Sequence, residues 1–366
     1  MQLTSQRDDL AGALAIAARA ASGRSTLPVL SYVLLSADSD GVRLSATDME
    51  LSLRLPVNAT VSEPGSIVVP RLAADVVRSL APGEVTLTHR DNEASIHLSG
   101  GQSSFKLNSL QADDFPQLPS VEGPSLRIPA EPFVTSVDKV SRAASRDDTR
   151  PVLTGVLLRL DQTGLTMVAT DSYRLALRIE AIDADPGDPR EALIPARALQ
   201  EVARLVGVTK ADHVELIIAP ALASFRVGGV EVMSRLIDGQ FPDFRQLIPA
   251  ETDHQVRFDR SELQAVLGRI GVLAPRGTPI RLMFAPGEVT VVAMSEQHGE
   301  GKETIPVSYD GEAMEIRFNA EFLRDGVDSA EGDEITLGLI SPLRPGIIRG
   351  ASGTFTYLLM PIRQNA

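Results

Sequence analysis

The chain repeats itself. Arg19-Ala20-Ala21-Ser22 returns as Arg142-Ala143-Ala144-Ser145, an offset of 123 residues. The same offset carries Pro28-Val29-Leu30 onto Pro151-Val152-Leu153, Val33-Leu34-Leu35 onto Val156-Leu157-Leu158, Gly41 onto Gly164 and Thr47-Asp48 onto Thr170-Asp171. A fainter third copy follows at an offset of 124, with Ile280-Arg281-Leu282 against Val156-Leu157-Leu158 and Val289 to Ala293 against Leu165 to Ala169. Three such copies fill the 366 residues. Each far exceeds a solenoid unit of ~20–50 residues, so each is expected to form a domain: 1–120, 127–246 and 247–366.

Periodicity describes one copy. Apolar residues spaced i, i+4, i+7 occur at Leu10, Leu14 and Ala17, at Phe133, Val137 and Val140, and at Leu263, Leu267 and Ile270, which is one helix face used three times. Asp259 and Glu262 have the spacing of a helix cap. Second helices are expected from Pro70, Pro195 and Asn319, two of them with proline in the first turn. Alternation predicts strands at Val42-Leu44-Ala46, Leu51-Leu53-Leu55 and Leu175-Leu177-Ile179. More strands are expected within 94–107, 223–236, 335–340 and 347–361. The proline-bearing stretches 115–129 and 241–258 read as linkers. Each copy is therefore helix, strands, helix, strands, an α+β chain.

Several functions are excluded. The chain has no cysteine, which removes disulfides, thiol nucleophiles and thiolate zinc sites and fits a reducing cytoplasm. Leu10 to Ala18 looks like a signal-peptide core, but Asp8 and Asp9 stand where positive charge belongs, so it reads as a helix. No apolar run approaches the ~20 residues of a membrane crossing. Phosphate loops, dinucleotide fingerprints, H-E-x-x-H and nucleophile elbows are all missing. Thr47-Asp48 and Thr170-Asp171 recur after a strand, as turn-fixing side chains would. His89, Asp91, Glu93 and His97 lack ligand spacing and read as a polar loop and strand. No catalytic residue, metal or cofactor is expected.

The net charge of −13 argues against nucleic acid if it is evenly spread. It is not. The six expected helices (5–22, 70–81, 129–146, 195–207, 259–276, 319–331) hold 13 Arg and Lys against 12 Asp and Glu. Arg71 and Arg78 match Arg197 and Arg204, each pair spaced i, i+7. That spacing suits a solvated face paired with Asp75 and Glu201, or a basic face for phosphates. In the third copy Glu321 and Asp328 replace the arginines.

With these residues in hand, the chain resembles the bacterial DNA polymerase III beta subunit, the sliding-clamp family, from end to end. The segments that carry the resemblance are Arg24 to Leu30, Val168 to Ala176, Asp238 to Arg245 and Tyr357 to Arg363. The loop Ser341 to Pro345 departs from the family pattern. The resemblance implies three tandem clamp domains, helices lining a ring and antiparallel sheets outside, in a head-to-tail homodimer. It implies a non-catalytic processivity factor that encircles duplex DNA and tethers the polymerase III alpha subunit. The clamp loader and other proteins bearing a clamp-binding peptide would be further partners. A specialised paralogous clamp and a hydrolase built on Asp48 or Asp171 are the alternatives.

The resemblance also implies sites. Arg24 and Arg197 are DNA contacts, to which the internal repeat adds Arg71, Arg78 and Arg204, and Arg146 completes the set. The peptide pocket would comprise Leu153, Thr170, Tyr173, Arg174, Leu175, Pro242, Leu247, Leu343, Leu358, Met360, Pro361 and Ile362, with Arg245 and Arg363 at its rim. At the dimer joint, Phe105 and Leu107 would face Val272 and Leu273 of the other chain.

Overall fold

The computed structural model describes residues 1–23, 27–90, 93–182, 189–274 and 277–363. The first copy runs β1 (Gln2–Gln6), α1 (Arg7–Ala17), β2 (Tyr32–Asp38), β3 (Gly41–Thr47), β4 (Leu51–Val57), β5 (Ala59–Glu63), β6 (Gly65–Pro70), α2 (Ala73–Ser79), β7 (Glu84–His89), β8 (Ser95–Gly100) and β9 (Ser103–Asn108). The second runs β10 (Leu126–Pro129), α3 (Ala130–Val140), β11 (Gly155–Asp161), β12 (Gly164–Thr170), β13 (Arg174–Glu180), β14 (Arg190–Pro195), α4 (Ala196–Thr209), β15 (His213–Ile218), β16 (Leu222–Val227) and β17 (Val230–Arg235). The third runs β18 (His254–Asp259), α5 (Arg260–Ile270), β19 (Pro279–Ala285), β20 (Glu288–Ser295), β21 (Gly299–Pro306), β22 (Met314–Asn319), α6 (Ala320–Ser329), β23 (Glu334–Leu339), β24 (Gly346–Gly350) and β25 (Phe355–Leu359).

Every copy thus opens with a strand that the pattern reading misses. β10 and β18 end the stretches read as linkers, and their buried residues are Leu126 and Ile128, and Val256 and Phe258. Four to six residues with two buried side chains each are too few for alternation to stand out. Pro70 and Pro195 close strands β6 and β14 instead of opening helices. Helices α1, α2, α3, α5 and α6 are also shorter than expected, whereas α4 runs two residues beyond its expected end. Their apolar faces hold: Leu10, Leu14, Ala17, Phe133, Val137, Val140, Leu263, Leu267 and Ile270 are all buried. Asp259 caps α5 by accepting the Glu262 amide at 2.8 Å, and Asn319 caps α6 through the amides of Glu321 and Phe322.

The chain divides into two compact units, 1–130 with 204–236, and 131–203 with 237–366. In the first, a five-stranded sheet is ordered β5-β1-β7-β8-β9 and an eight-stranded one β10-β15-β16-β17-β4-β3-β2-β6. Helix α1 packs on α2 and on β3 and β4. In the second, an eight-stranded sheet is ordered β14-β11-β12-β13-β25-β24-β23-β18, and a four-stranded one β21-β20-β19-β22. Helix α5 packs on α6. Each eight-stranded sheet therefore joins strands of two successive copies. The joints are β4 to β17 and β13 to β25, both antiparallel.

Candidate functional site: an apolar pocket and its supporting turn

The pocket begins at a turn. Between β12 and β13, Thr170 donates its hydroxyl to the Arg174 carbonyl at 2.7 Å and accepts the Ser172 amide at 3.2 Å. Asp171 Oδ1 accepts the amides of Tyr173 and Arg174 at 2.9 and 3.0 Å. Ser172 is held at φ 80°, a left-handed conformation that these bonds enforce. Thr47 and Asp48 build the same turn between β3 and β4, with Met49 at φ 79°. Both aspartates are therefore spent on backbone amides, as the sequence reading expects, and neither is poised for hydrolysis.

Arg174 fixes what the turn faces. The residue is buried, 8% exposed. It donates to Asp171 Oδ2 at 3.0 Å, to Asp325 at 2.5 Å, to the Tyr357 hydroxyl at 3.3 Å and to the Arg142 carbonyl. It also stacks on Phe322, 4.1 Å from the ring centroid. Burial disfavours its charge, but the contacts with Tyr357, Asp325 and Asp171 outweigh that and raise its pKa. Burial pushes the Tyr357 hydroxyl up as well, so it stays a neutral donor, to the Phe322 carbonyl at 2.9 Å.

Beside the turn lies a cavity of about 450 Å³. Thr170, Ser172, Arg174, Leu175, Leu358, Met360 and Arg363 line one side; Gln246, Leu247, Pro249 and Leu343 to Pro345 line the other. Its floor is continuous with a buried cluster of Leu157, Val168, Leu175, Leu177, Leu193, Phe244 and Leu358. Asp243 shapes the wall by accepting the Arg245 amide and the Gln246 side chain. Met360 is held by its amide bond to the Tyr173 carbonyl at 2.8 Å. Leu343 is 65% exposed, and Leu247 and Met360 are also open to solvent. An exposed apolar cluster with Arg344 and Arg363 at its margin suits an apolar side chain next to a carboxylate.

Of the residues expected in the pocket, Thr170, Arg174, Leu175, Leu247, Leu343, Leu358, Met360 and Arg363 line this cavity. Leu153, Tyr173, Pro242, Arg245, Pro361 and Ile362 do not. Leu153 is buried, Tyr173 lines a neighbouring groove with Arg146 and Arg150, and Arg245 stacks on Phe244. The amide of Ile362 is bonded to the Arg317 carbonyl. Ser172, Gln246, Pro249, Arg344 and Pro345 were missed. The run Gln246-Leu247-Ile248-Pro249 echoes Gln117-Leu118-Pro119, a repeat that points to Gln246 and Pro249.

The arginines expected at DNA are dispersed. Arg24 lies outside the described residues. Arg71 sits in the turn before α2, not on its face, and Arg78 pairs with Asp75 at 3.5 Å. Arg146 is exposed beyond α3, while α4 carries Arg197, exposed, and Arg204, half-buried. As built, α1 to α6 hold eight Arg and Lys and ten Asp and Glu. The basic excess expected on helices sits in their flanking turns, where Arg19, Arg71, Arg142 and Arg146 lie. Phe105 and Leu107 lie on β9, an edge strand; Val272 is 80% exposed, and Leu273 lies over Gly301 of β21, itself an edge. Among the described residues no His, Asp and Glu are grouped to hold a metal, and no helix is long and apolar enough to cross a membrane.

Family models decide the relationship. The DNA polymerase III beta subunit N-terminal, central and C-terminal domain models match residues 1–119, 127–243 and 245–363. The chain belongs to the DNA polymerase III beta subunit family. It is 34% identical to a beta sliding clamp of Synechococcus elongatus, over 99% of each chain. It is 32% identical to one of Streptomyces coelicolor, again over 99% of each. The crystal structure of the DNA polymerase sliding clamp from Bacillus subtilis matches with a TM-score of 0.92 at 28% identity, covering 100% of both chains. The clamp described here is thus built of three tandem clamp domains of helices and antiparallel sheets, and is a non-catalytic processivity subunit.

Proposed function

We propose that two copies of this clamp close head to tail into a ring that encircles duplex DNA without reading its sequence. In it, the three domains 1–120, 127–246 and 247–366 of each chain form the wall. The observation that carries this reading is the shared register of the two joints inside the chain. At β4 and β17, Leu53 faces Val232 and Ser52 faces Met233; at β13 and β25, the equivalent Ala176 faces Tyr357 and Leu175 faces Leu358. The remaining members of this series are β21 and β9, both unpaired edges. An exposed edge is a template for a further strand. The same register sets Phe105 against Gly301 of the partner subunit, and Lys106 against Glu300 of the partner subunit, an opposite-charge pair. Phe105, Leu107, Val272 and Leu273 would be covered there, each side chain contributing roughly 1.5–3 kcal/mol. Sedimentation of the Leu107→Asp, Leu273→Asp variant as monomer is expected; an intact dimer would refute the joint.

A ring holds DNA by topology, so it needs few phosphate contacts. Arg24, Arg71, Arg78, Arg146, Arg197 and Arg204 are proposed as those contacts, weak enough to permit sliding. The cavity beside Arg174 is proposed to receive peptide segments of the polymerase III alpha subunit, the clamp loader and other cytoplasmic partners. The deciding experiment is retention on circular against linearised DNA. Loss on linearisation is expected, and equal retention sinks the ring.

A further inference from the structure

The first unit contains a second cavity, of about 430 Å³. It occupies the place in the β4 to β17 joint that the pocket described above occupies in the β13 to β25 joint. Thr47, Met49 and Ser52 line it where Thr170, Ser172 and Leu175 line the other. The register then equates Met233 with Leu358 and Arg235 with Met360, again lining both. The opposite wall is Gln117-Leu118-Pro119, the counterpart of Gln246 to Pro249. Two cavities of similar volume thus arise from the same positions of the repeat. Neither the resemblance nor the family match assigns anything to this one.

Its chemistry names the occupant. Met233 is buried at the floor and Met49 is exposed at the rim, with Leu118 and Leu222 half-buried between them. Two unbranched methionines adapt to apolar side chains of varied shape. Arg235, an exposed residue, lines one margin, its backbone amide donating to the Glu50 carbonyl at 2.9 Å. We infer that this cavity is a second docking site for a short extended peptide that buries an aliphatic or aromatic side chain and presents a carboxylate to Arg235. This rests on reading the first cavity as a peptide pocket. Arg235 is the one arginine of this lining, whereas the first cavity has both Arg344 and Arg363 at its margin, and here Glu50 shares the lining. The missing charge-assisted bond makes the second site roughly tenfold weaker or more.

The test titrates the full-length protein with the peptide Gly-Leu-Asp-Leu-Phe bearing a free carboxylate, counting bound peptides per chain by native mass spectrometry. Two per chain are expected, the second at least roughly tenfold weaker. Leu118→Ser with Arg235→Glu should abolish only the weaker event, and Leu247→Ser with Arg363→Glu only the tighter. Arg235→Glu alone, at an exposed position, reads the same loss should the double variant fold poorly. Saturation at one peptide, abolished by the Leu247 and Arg363 changes, overturns the second site and leaves the first standing. A single event lost only with the Arg235 changes does the reverse. Binding absent, or indifferent to both variants, overturns both.

Discussion

The turns before β4 and β13 use one design for two purposes. In both, a threonine and an aspartate bond the backbone of the next residues and hold a non-glycine residue at positive φ. At the first, the residue entering the strand is Leu51, buried and apolar. At the second it is Arg174, whose guanidinium ties the turn to Asp325 and Tyr357. Further along the same two strands the contrast recurs. The first joint is crossed by one partly exposed pair, Arg54 and Glu231 at 3.0 Å, while the second has Arg178 buried and paired with Glu331, which also holds Lys139. An identical local motif can therefore serve a joint with a partly exposed ion pair or one with a buried ion network. The residue that follows it decides which.

The largest break in this comparison is expected from Arg174→Ala. It leaves Asp171 and Asp325 partly buried without their cation and should cost about 3–5 kcal/mol, read as a lower urea midpoint. A cost under about 1 kcal/mol would mean that the network adds nothing to packing. Next come the two aspartates. Asp48→Ala removes the turn bonds to Glu50 and Leu51 and should cost about 1 kcal/mol, whereas Asp171→Ala also strips the buried Arg174 of a partner and should cost about 1–2 kcal/mol more. Equal losses would show that the turns, not the ion network, set the stability of both joints.

The smallest effect is one of pH. Burial would raise the pKa of Glu331, but bonds from Lys139 and Ser352, with Arg178 beside them, hold it at about 2 against a usual 4.5. A depressed carboxylate adds stability above its unfolded pKa and surrenders it as pH falls towards the folded one. Unfolding midpoints should therefore drop between pH 4.5 and about 2, and Glu331→Gln should flatten that limb. An unchanged acid profile in the variant would remove Glu331 from the account of the second joint.

Much of this was legible before any coordinates. The repeat shows when the sequence is laid against itself, and the three helix faces and the Thr-Asp turns depend on residues within a few positions of one another; the faces and turns form where the pattern puts them. The leading strands did not, because β10 is four residues bracketed by Pro124 and Pro129, and β18 is six residues with only Val256 and Phe258 to mark its buried face. Arg71 was misplaced for a related reason: an i, i+7 spacing implies a shared face only if every residue between is helical, and α2 starts at Ala73. In the pocket, Leu175, Leu358 and Met360 lie in family segments and the internal repeat points to Gln246 and Pro249, while Arg344 and Pro345 belong to the lining only because two loops distant in sequence meet across the cavity.

By itself the sequence determined that there are three copies, which residues in each turn inward, and where the chain must bend, since periodicity and side-chain-to-backbone bonds are local. Which strand lies beside which was settled only in the tertiary structure. A period of two marks the buried face of a strand and is silent about its neighbour, so nothing local announces that β17 joins β4 or that β25 joins β13. The same pairing leaves β9 and β21 without partners at their outer edges, opens both cavities, and commits Arg174 to the interior of one of the two joints.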